Sequence, residues 1–209
     1  MISRRRFIAG LALAAVAVST PVLALTGGGN NFDGEPLPDF QDMTKGQPEQ
    51  QPMYIEGMLN LKSCHTGERY RFPYRNTNGV YDSQILMALN WFLRCNHDGK
   101  CVVMDVRIIE MLNYVAKFFP GNPEITINSA YRTPAYNALI ALHNENVAKN
   151  SLHMRGQAID FSVQGVPIRQ VCQVAQTVRN IFGHGGCGYY PRESFVHLDC
   201  GARAATWMR

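Results

Sequence analysis

Apolar and polar positions repeat along this chain with two periods, and the change from one to the other marks its elements. Met58-Leu59-Asn60-Leu61 and Arg69-Tyr70-Arg71-Phe72 alternate residue by residue around His65-Thr66-Gly67-Glu68, which predicts a β-hairpin. Ile85, Leu86, Leu89, Trp91 and Phe92 then recur at helical spacing after Asp82, a capping residue, and predict a helix to about Cys95. A second helix is predicted from about Asp105 to Phe119, with Val106, Ile109, Leu112, Val115, Ala116 and Phe119 inward. Pro120-Gly121-Asn122-Pro123 stops it. Ile125-Thr126-Ile127 reads as a short strand that runs into Ser129-Ala130-Tyr131-Arg132-Thr133-Pro134. From Pro134 to about Lys149 the pattern is helical, and a polar loop holding His153 follows. Gln157–Val163 alternates strictly and predicts a strand. Pro167 opens a helix to about Phe182, and a glycine-rich turn spans Gly183 to Gly188. Gly188–Tyr190 and Ser194–Asp199 read as paired strands. Helices come first and most strands with polar faces come late. The fold class expected is therefore α+β, a small antiparallel sheet packed against helices, rather than a doubly wound sheet.

The amino terminus follows different rules. Ser3-Arg4-Arg5-Arg6-Phe7-Ile8 fits the twin-arginine export pattern. An apolar stretch from Ala9 to Val18 follows it, and Val22-Leu23-Ala24 suits a signal peptidase. Gly10, Ser19, Thr20 and Pro21 interrupt the stretch, so no stable transmembrane span is expected after processing. Residues 1–24 are expected to be a signal peptide leading to the periplasm. Residues 25–53, rich in Gly, Pro, Gln, Asn and Asp, read as a flexible linker, and residues 54–209 as one domain.

Charge changes the picture little. Removing residues 1–24 takes away Arg4, Arg5 and Arg6 and no acidic residue, so the formal charge falls from +4 to +1. The basicity is mostly an address label. No basic stripe interleaved with aromatics argues for nucleic acid. The six cysteines, at 64, 95, 101, 172, 187 and 200, call for pairing or burial in an oxidising compartment. Cys95 and Cys101 flank a turn-rich loop that a short disulfide can close. A Cys95, His97 and Cys101 metal clip is the weaker alternative, because no second ligand pair stands at a matching distance. The other pairings and the oligomeric state stay open.

The candidate chemistry lies in Ser151-x-His153-x-x-Gly156-x-Ala158-x-Asp160 and Phe195-Val196-His197-Leu198-Asp199. Strand side chains alternate between faces, so Ala158 and Asp160 share one side and His197 and Asp199 share another. Pairing these strands sets Asp160 beside His197. Gly156 permits a turn that folds His153 back, and the small Ala158 leaves room. Two imidazoles and one carboxylate are a zinc ligand set that leaves a fourth position open, the mark of a catalytic site.

These strings resemble the zinc D-Ala-D-Ala peptidase and hedgehog-like superfamily. With Leu59-Asn60-Leu61, His65-Thr66-Gly67-Glu68, Tyr131-Arg132-Thr133, Gly188-Tyr189-Tyr190 and Cys200-Gly201, the chain is similar over residues 56–207 to the YcbK-like murein endopeptidases. The resemblance implies a hedgehog/DD-peptidase-like fold and Zn2+ on His153, Asp160 and His197. It also implies hydrolysis of peptidoglycan cross-links between stem peptides, preferentially between two diaminopimelate residues. Several relatives carry a Glu three residues before the second zinc His, where this chain has Ser194. Asp199, on the His197 side of its strand, is the first choice for general base or for orienting His197, and Glu193 the second. Arg132 is expected to bind a substrate carboxylate or the developing oxyanion, as in related dipeptidases. Ser151 is expected either to donate a hydrogen bond to a ligand or the substrate backbone or to play a structural part, and His65 is expected in hairpin packing. His97, His143 and His184 are expected at the surface, and Tyr189 and Tyr190 in the groove or core. The competing readings are a D,D- or L,D-carboxypeptidase or dipeptidase, and a non-catalytic wall-binding module.

Overall fold

The structure, a computed structural model, describes residues 55–145 and 147–209. The signal-peptide and linker expectations for residues 1–53 lie outside the described residues. No helix among the described residues is long and apolar enough to cross a membrane.

The chain runs β1 (Gly57–Ser63), β2 (Arg69–Arg75), α1 (Ser83–Phe92), α2 (Val106–Lys117), β3 (Ile125–Ser129), α3 (Pro134–Ala141), a 3-10 turn (Leu152–Arg155), β4 (Ala158–Val163), α4 (Ile168–Phe182), β5 (Gly186–Tyr190), β6 (Phe195–Asp199) and β7 (Ala205–Met208). The strands make one seven-stranded sheet in the order β2-β1-β3-β4-β6-β5-β7. Hairpin β1–β2 and the pairs β3–β4, β4–β6 and β5–β6 are antiparallel, whereas β1–β3 and β5–β7 are parallel. The class is α+β, but the expected small antiparallel sheet is instead a larger mixed one. The parallel pairs join strands far apart in sequence, which local periodicity does not reveal. Nor did the sequence pattern predict β7, whose burial does not alternate.

Burial explains the layering. In β1 every second residue from Gly57 to Ser63 is buried. Ile159 and Phe161 of β4 and Val196 and Leu198 of β6 are fully buried and join the core with Ile108, Leu112 and Val115 of α2 and Val171, Ala175 and Val178 of α4. Helix α4 packs on β4, β5 and β6, α2 packs on β1 and α4, and α1 packs on β2. One sheet face is thereby committed to helices. The alternate side chains of β4 and β6, among them Asp160 and His197, are left for the other face.

The helix caps explain where the helices start. Asp82 accepts hydrogen bonds from the amides of Gln84 (2.9 Å) and Ile85 (3.0 Å), and Asp105 accepts from Arg107 N (3.0 Å). Helix α3 stops at Ala141, well short of the expected Lys149. Asn137 Nδ2 donates to Ala148 O (3.0 Å) and Val147 N to Asn144 O (3.0 Å). The chain after Leu142 folds back onto the helix instead of prolonging it. Asparagines at 144 and 150 favour such turns over helix interior. The expected Cys95–Cys101 disulfide is also absent, all six cysteines being free. Backbone bonds Cys95 N to Lys100 O (2.8 Å) and Gly99 N to Cys95 O (2.8 Å) close that loop instead.

Deep between β2 and α2, Arg75 and Glu110 form a fully buried bidentate pair at 2.7 and 2.9 Å, and Tyr81 donates to the same carboxylate at 3.0 Å.

Candidate metal centre

The site is assembled by register. Asp160 of β4 stands opposite His197 of β6, and His197 opposite Gly188 of β5. Ser129, the last residue of β3, pairs with Asp160 across a register shift. His153 enters from the 3-10 turn, where Ser151 Oγ accepts from His153 N (3.4 Å). Gly156 then reverses the chain at φ 66, and a Cβ there would stand 3.0 Å from Val102 and Val103, so both the angle and the space require glycine.

Hydrogen bonds decide which nitrogen of each imidazole faces inward. His153 Nδ1 donates to Ala130 O (2.7 Å), which turns Nε2 toward Asp160 Oδ1 (3.2 Å). His197 Nε2 donates to Asp199 Oδ2 (3.1 Å), which turns Nδ1 toward Asp160 Oδ1 (2.8 Å) and His153 Nε2 (3.2 Å). Two imidazole nitrogens and a carboxylate oxygen thus converge. Without a positive charge among them the arrangement repels itself. In a tetrahedral zinc site with bonds of about 2.0–2.1 Å, donor atoms lie about 3.3 Å apart, close to the spacing here. His153, Asp160 and His197 form the one group of potential metal ligands among the described residues.

The electrostatics point the same way. Burial works against charge on His197, yet its bonds to Asp160 and Asp199 hold it up to about 9. Burial pushes His153 below its ordinary value. Asp160 is held well below the usual carboxylate range, its burial more than offset by His153 and His197. The pocket is built to receive positive charge.

The supporting residues are arranged around the ligands. Arg132, expected on substrate, gives its Nη2 to Asp160 Oδ2 and its Nε to Ser129 Oγ (2.8 Å), while its backbone N binds His153 O (3.2 Å). Asp199 is held by three hydrogen bonds: beyond its contact with His197, Oδ1 accepts from the amides of Gly186 (2.9 Å) and Gly201 (2.9 Å). Despite its burial, the His197 contact keeps the Asp199 carboxyl below its ordinary value. It sits on the far side of the His197 ring from the converging atoms. Glu193 is exposed in the β5–β6 turn and lines the same cavity, next to Ser194 at φ 58.

That cavity, about 980 Å³, has the three ligand residues in its lining. Ser151, His65 and Tyr190 also line it, whereas Tyr189 packs against the core. His65 Nε2 contacts Asn128 O (2.8 Å). Sequence reasoning missed two residues. His97 is exposed, as expected, but its place in the cavity wall was not foreseen. Trp207 of β7 lies 5.2 Å from the His197 ring and donates to Tyr190 Oη (3.0 Å). A Cβ on Gly186 or Gly188 would strike this indole at 2.8 or 2.5 Å. The Gly-x-Gly spacing was the one available signal.

Comparison with known proteins places the chain among the peptidases. A family model described as "Peptidoglycan L,D-endopeptidase MepK" matches residues 55–207. A Haemophilus influenzae protein named "Probable peptidoglycan L,D-endopeptidase MepK" is 32% identical over 151 residues, 72% of this chain and 78% of that protein. "Peptidoglycan L,D-endopeptidase MepK" of Escherichia coli K12 and that of Shigella flexneri are each 29% identical over 191 residues, 91% of either chain. The chain belongs to this family of murein endopeptidases, as its motifs led us to expect.

Proposed function

We propose that this protein is a zinc-dependent endopeptidase that opens peptide cross-links of bacterial peptidoglycan in the periplasm, reached by the twin-arginine route. The bond we assign is an L,D linkage, as in the name its relatives carry, and we place it between two diaminopimelate residues. The observation that carries this reading is the convergence of His153 Nε2, Asp160 Oδ1 and His197 Nδ1 within 3.2 Å of one another in the lining of an open cavity.

His153, Asp160 and His197 would hold the zinc. Bound there, it supplies a Lewis acid for the scissile carbonyl and brings the pKa of a water toward about 7. The protein's own residues do the rest. With zinc bound, the Asp199 contact at His197 Nε2 would leave Nδ1 free to ligate, and Ala130 O would do the same for His153 Nε2. Arg132 fixes the rotamer of Asp160 through Oδ2. Asp199 is engaged by three partners, and exposed Glu193 in the cavity lining carries none of these bonds, so Glu193 is the carboxylate we assign to take the proton of the attacking water and return it to the leaving amine. This reverses the order expected from the sequence.

The test is digestion of purified muropeptide dimers by the mature protein, with products identified by mass. Splitting into monomers that stops on chelation and returns with zinc is expected. Trimming of free ends without splitting would establish a carboxypeptidase, and intact dimers with zinc present would leave only a binding module.

A further inference from the structure

A second histidine system stands in the cavity wall, unused by the mechanism above. His97, in the loop between α1 and α2, is half exposed and lines the cavity. Its Nδ1 contacts Asp98 Oδ1, and Asp98 Oδ2 accepts from the Thr133 hydroxyl. Thr133 Oγ1 in turn accepts from Tyr136 N (3.1 Å), and the His97 ring stacks on Tyr136 with centroids 4.6 Å apart at 14°. The ring is therefore fixed by a hydrogen bond at one edge and by an aromatic face.

The direction of each hydrogen bond decides what the ring offers. Bonds from Thr133 and His97 hold the Asp98 carboxyl below its ordinary value, so it is an anion that only accepts. Nδ1 must then carry the ring proton. In the neutral ring Nε2 is left with a lone pair, and it has no hydrogen-bond partner among the described residues. Arg132, next to Thr133 in the chain, is turned to Asp160. An acceptor backed by a fixed carboxylate favours a positively charged donor.

We propose that His97 Nε2, preset by Asp98 and braced by Tyr136, is a subsite that accepts a hydrogen bond from a substrate ammonium group, the free amine that a diamino-acid cross-link leaves near its scissile bond. This rests on the peptidase reading for the identity of the substrate, and on the His97–Asp98–Thr133 geometry for the subsite.

The experiment measures kcat and KM on native dimers and on dimers N-acetylated at the free side-chain amine. Wild type, His97→Ala and Asp98→Asn are compared. On native dimers His97→Ala is expected to raise KM about tenfold, as loss of a charge-assisted hydrogen bond does, with kcat within about twofold. On acetylated dimers the variant and wild type should agree. Asp98→Asn, whose amide can donate to Nδ1 and leave Nε2 protonated, should behave as His97→Ala does. An unchanged KM in His97→Ala, or an equal rise on acetylated dimers, overturns the subsite. Calorimetric binding of both dimers to EDTA-treated protein gives the same contrast without cleavage. A wild type that binds through His97 but never cuts overturns the peptidase reading alone.

Discussion

At the scale of single residues, the proposed mechanism separates holding the ion from moving the proton. Asp199 accepts hydrogen bonds from the outer edge of His197 and from two backbone amides. Its loss should act through the ligand. Asp199→Asn is expected to weaken zinc about 10–100-fold, the usual effect of removing a carboxylate behind a ligating histidine. Glu193→Gln should leave zinc affinity unchanged and lower kcat about 10²–10⁴-fold. Chelator competition and steady-state kinetics on the two variants check the division; an Asp199 variant with normal zinc affinity and lost kcat would restore it as base. The clustering of the candidate ligands was legible in the sequence because strand alternation puts Asp160 and His197 on one face whatever surrounds them. For Asp199 the sequence left two roles open, base or support of His197. Whether its carboxylate meets the ion or the far edge of the ring depends on which imidazole nitrogen faces inward, and Ala130 O, Gly186 N and Gly201 N decide that from other segments.

At the scale of elements, α2 is held by polar groups at both its start and its middle. Burial alone would raise the Asp105 carboxyl, but Arg107 and Gln157 hold it below its ordinary value. The charged form is thus favoured by folding. Its contribution is complete above the unfolded value near about 4 and disappears as pH falls through the lower folded value. Asp105→Asn, which keeps a capping oxygen, should cost about 0.5–1 kcal/mol at neutral pH, given that Arg107 is partly exposed, and nothing once both states are protonated. Urea unfolding of both proteins across pH measures the closing gap. At the middle of α2, Glu110→Ala leaves the Arg75 guanidinium buried without its partner, at about 3–5 kcal/mol. Replacing the pair together, as Arg75→Met with Glu110→Leu, should recover most of that, and thermal unfolding distinguishes the two. The helices α1, α2 and α4 were legible from apolar spacing and caps, and α3 was overrun because Asn137 captures Ala148 O, a contact made only after the chain turns back.

At the scale of the whole molecule, the sheet gathers the site from segments that share no local signal. Strand β7 closes it by adding in parallel to β5, with Trp207 opposite Gly188 and beside His197. Trp207→Ala is expected to weaken zinc about tenfold, the lower end of what losing support behind a ligating histidine costs, whereas exposed Met208→Ala should not. Equal zinc retention in both variants would show that β7 only covers an edge. The sequence by itself determined the α+β class, three of the four helices among the described residues, the strands carrying Asp160 and His197 and the family, because periodicity, capping and motif spacing are properties of neighbouring residues. Only the tertiary structure decided the mixed strand order, the partners of the His153 and His197 ring nitrogens, the hydrogen bonds of Asp199 and the places of Trp207 and His97. Those depend on which distant backbone groups arrive beside each side chain, and parallel pairing and burial set that for the fold as a whole.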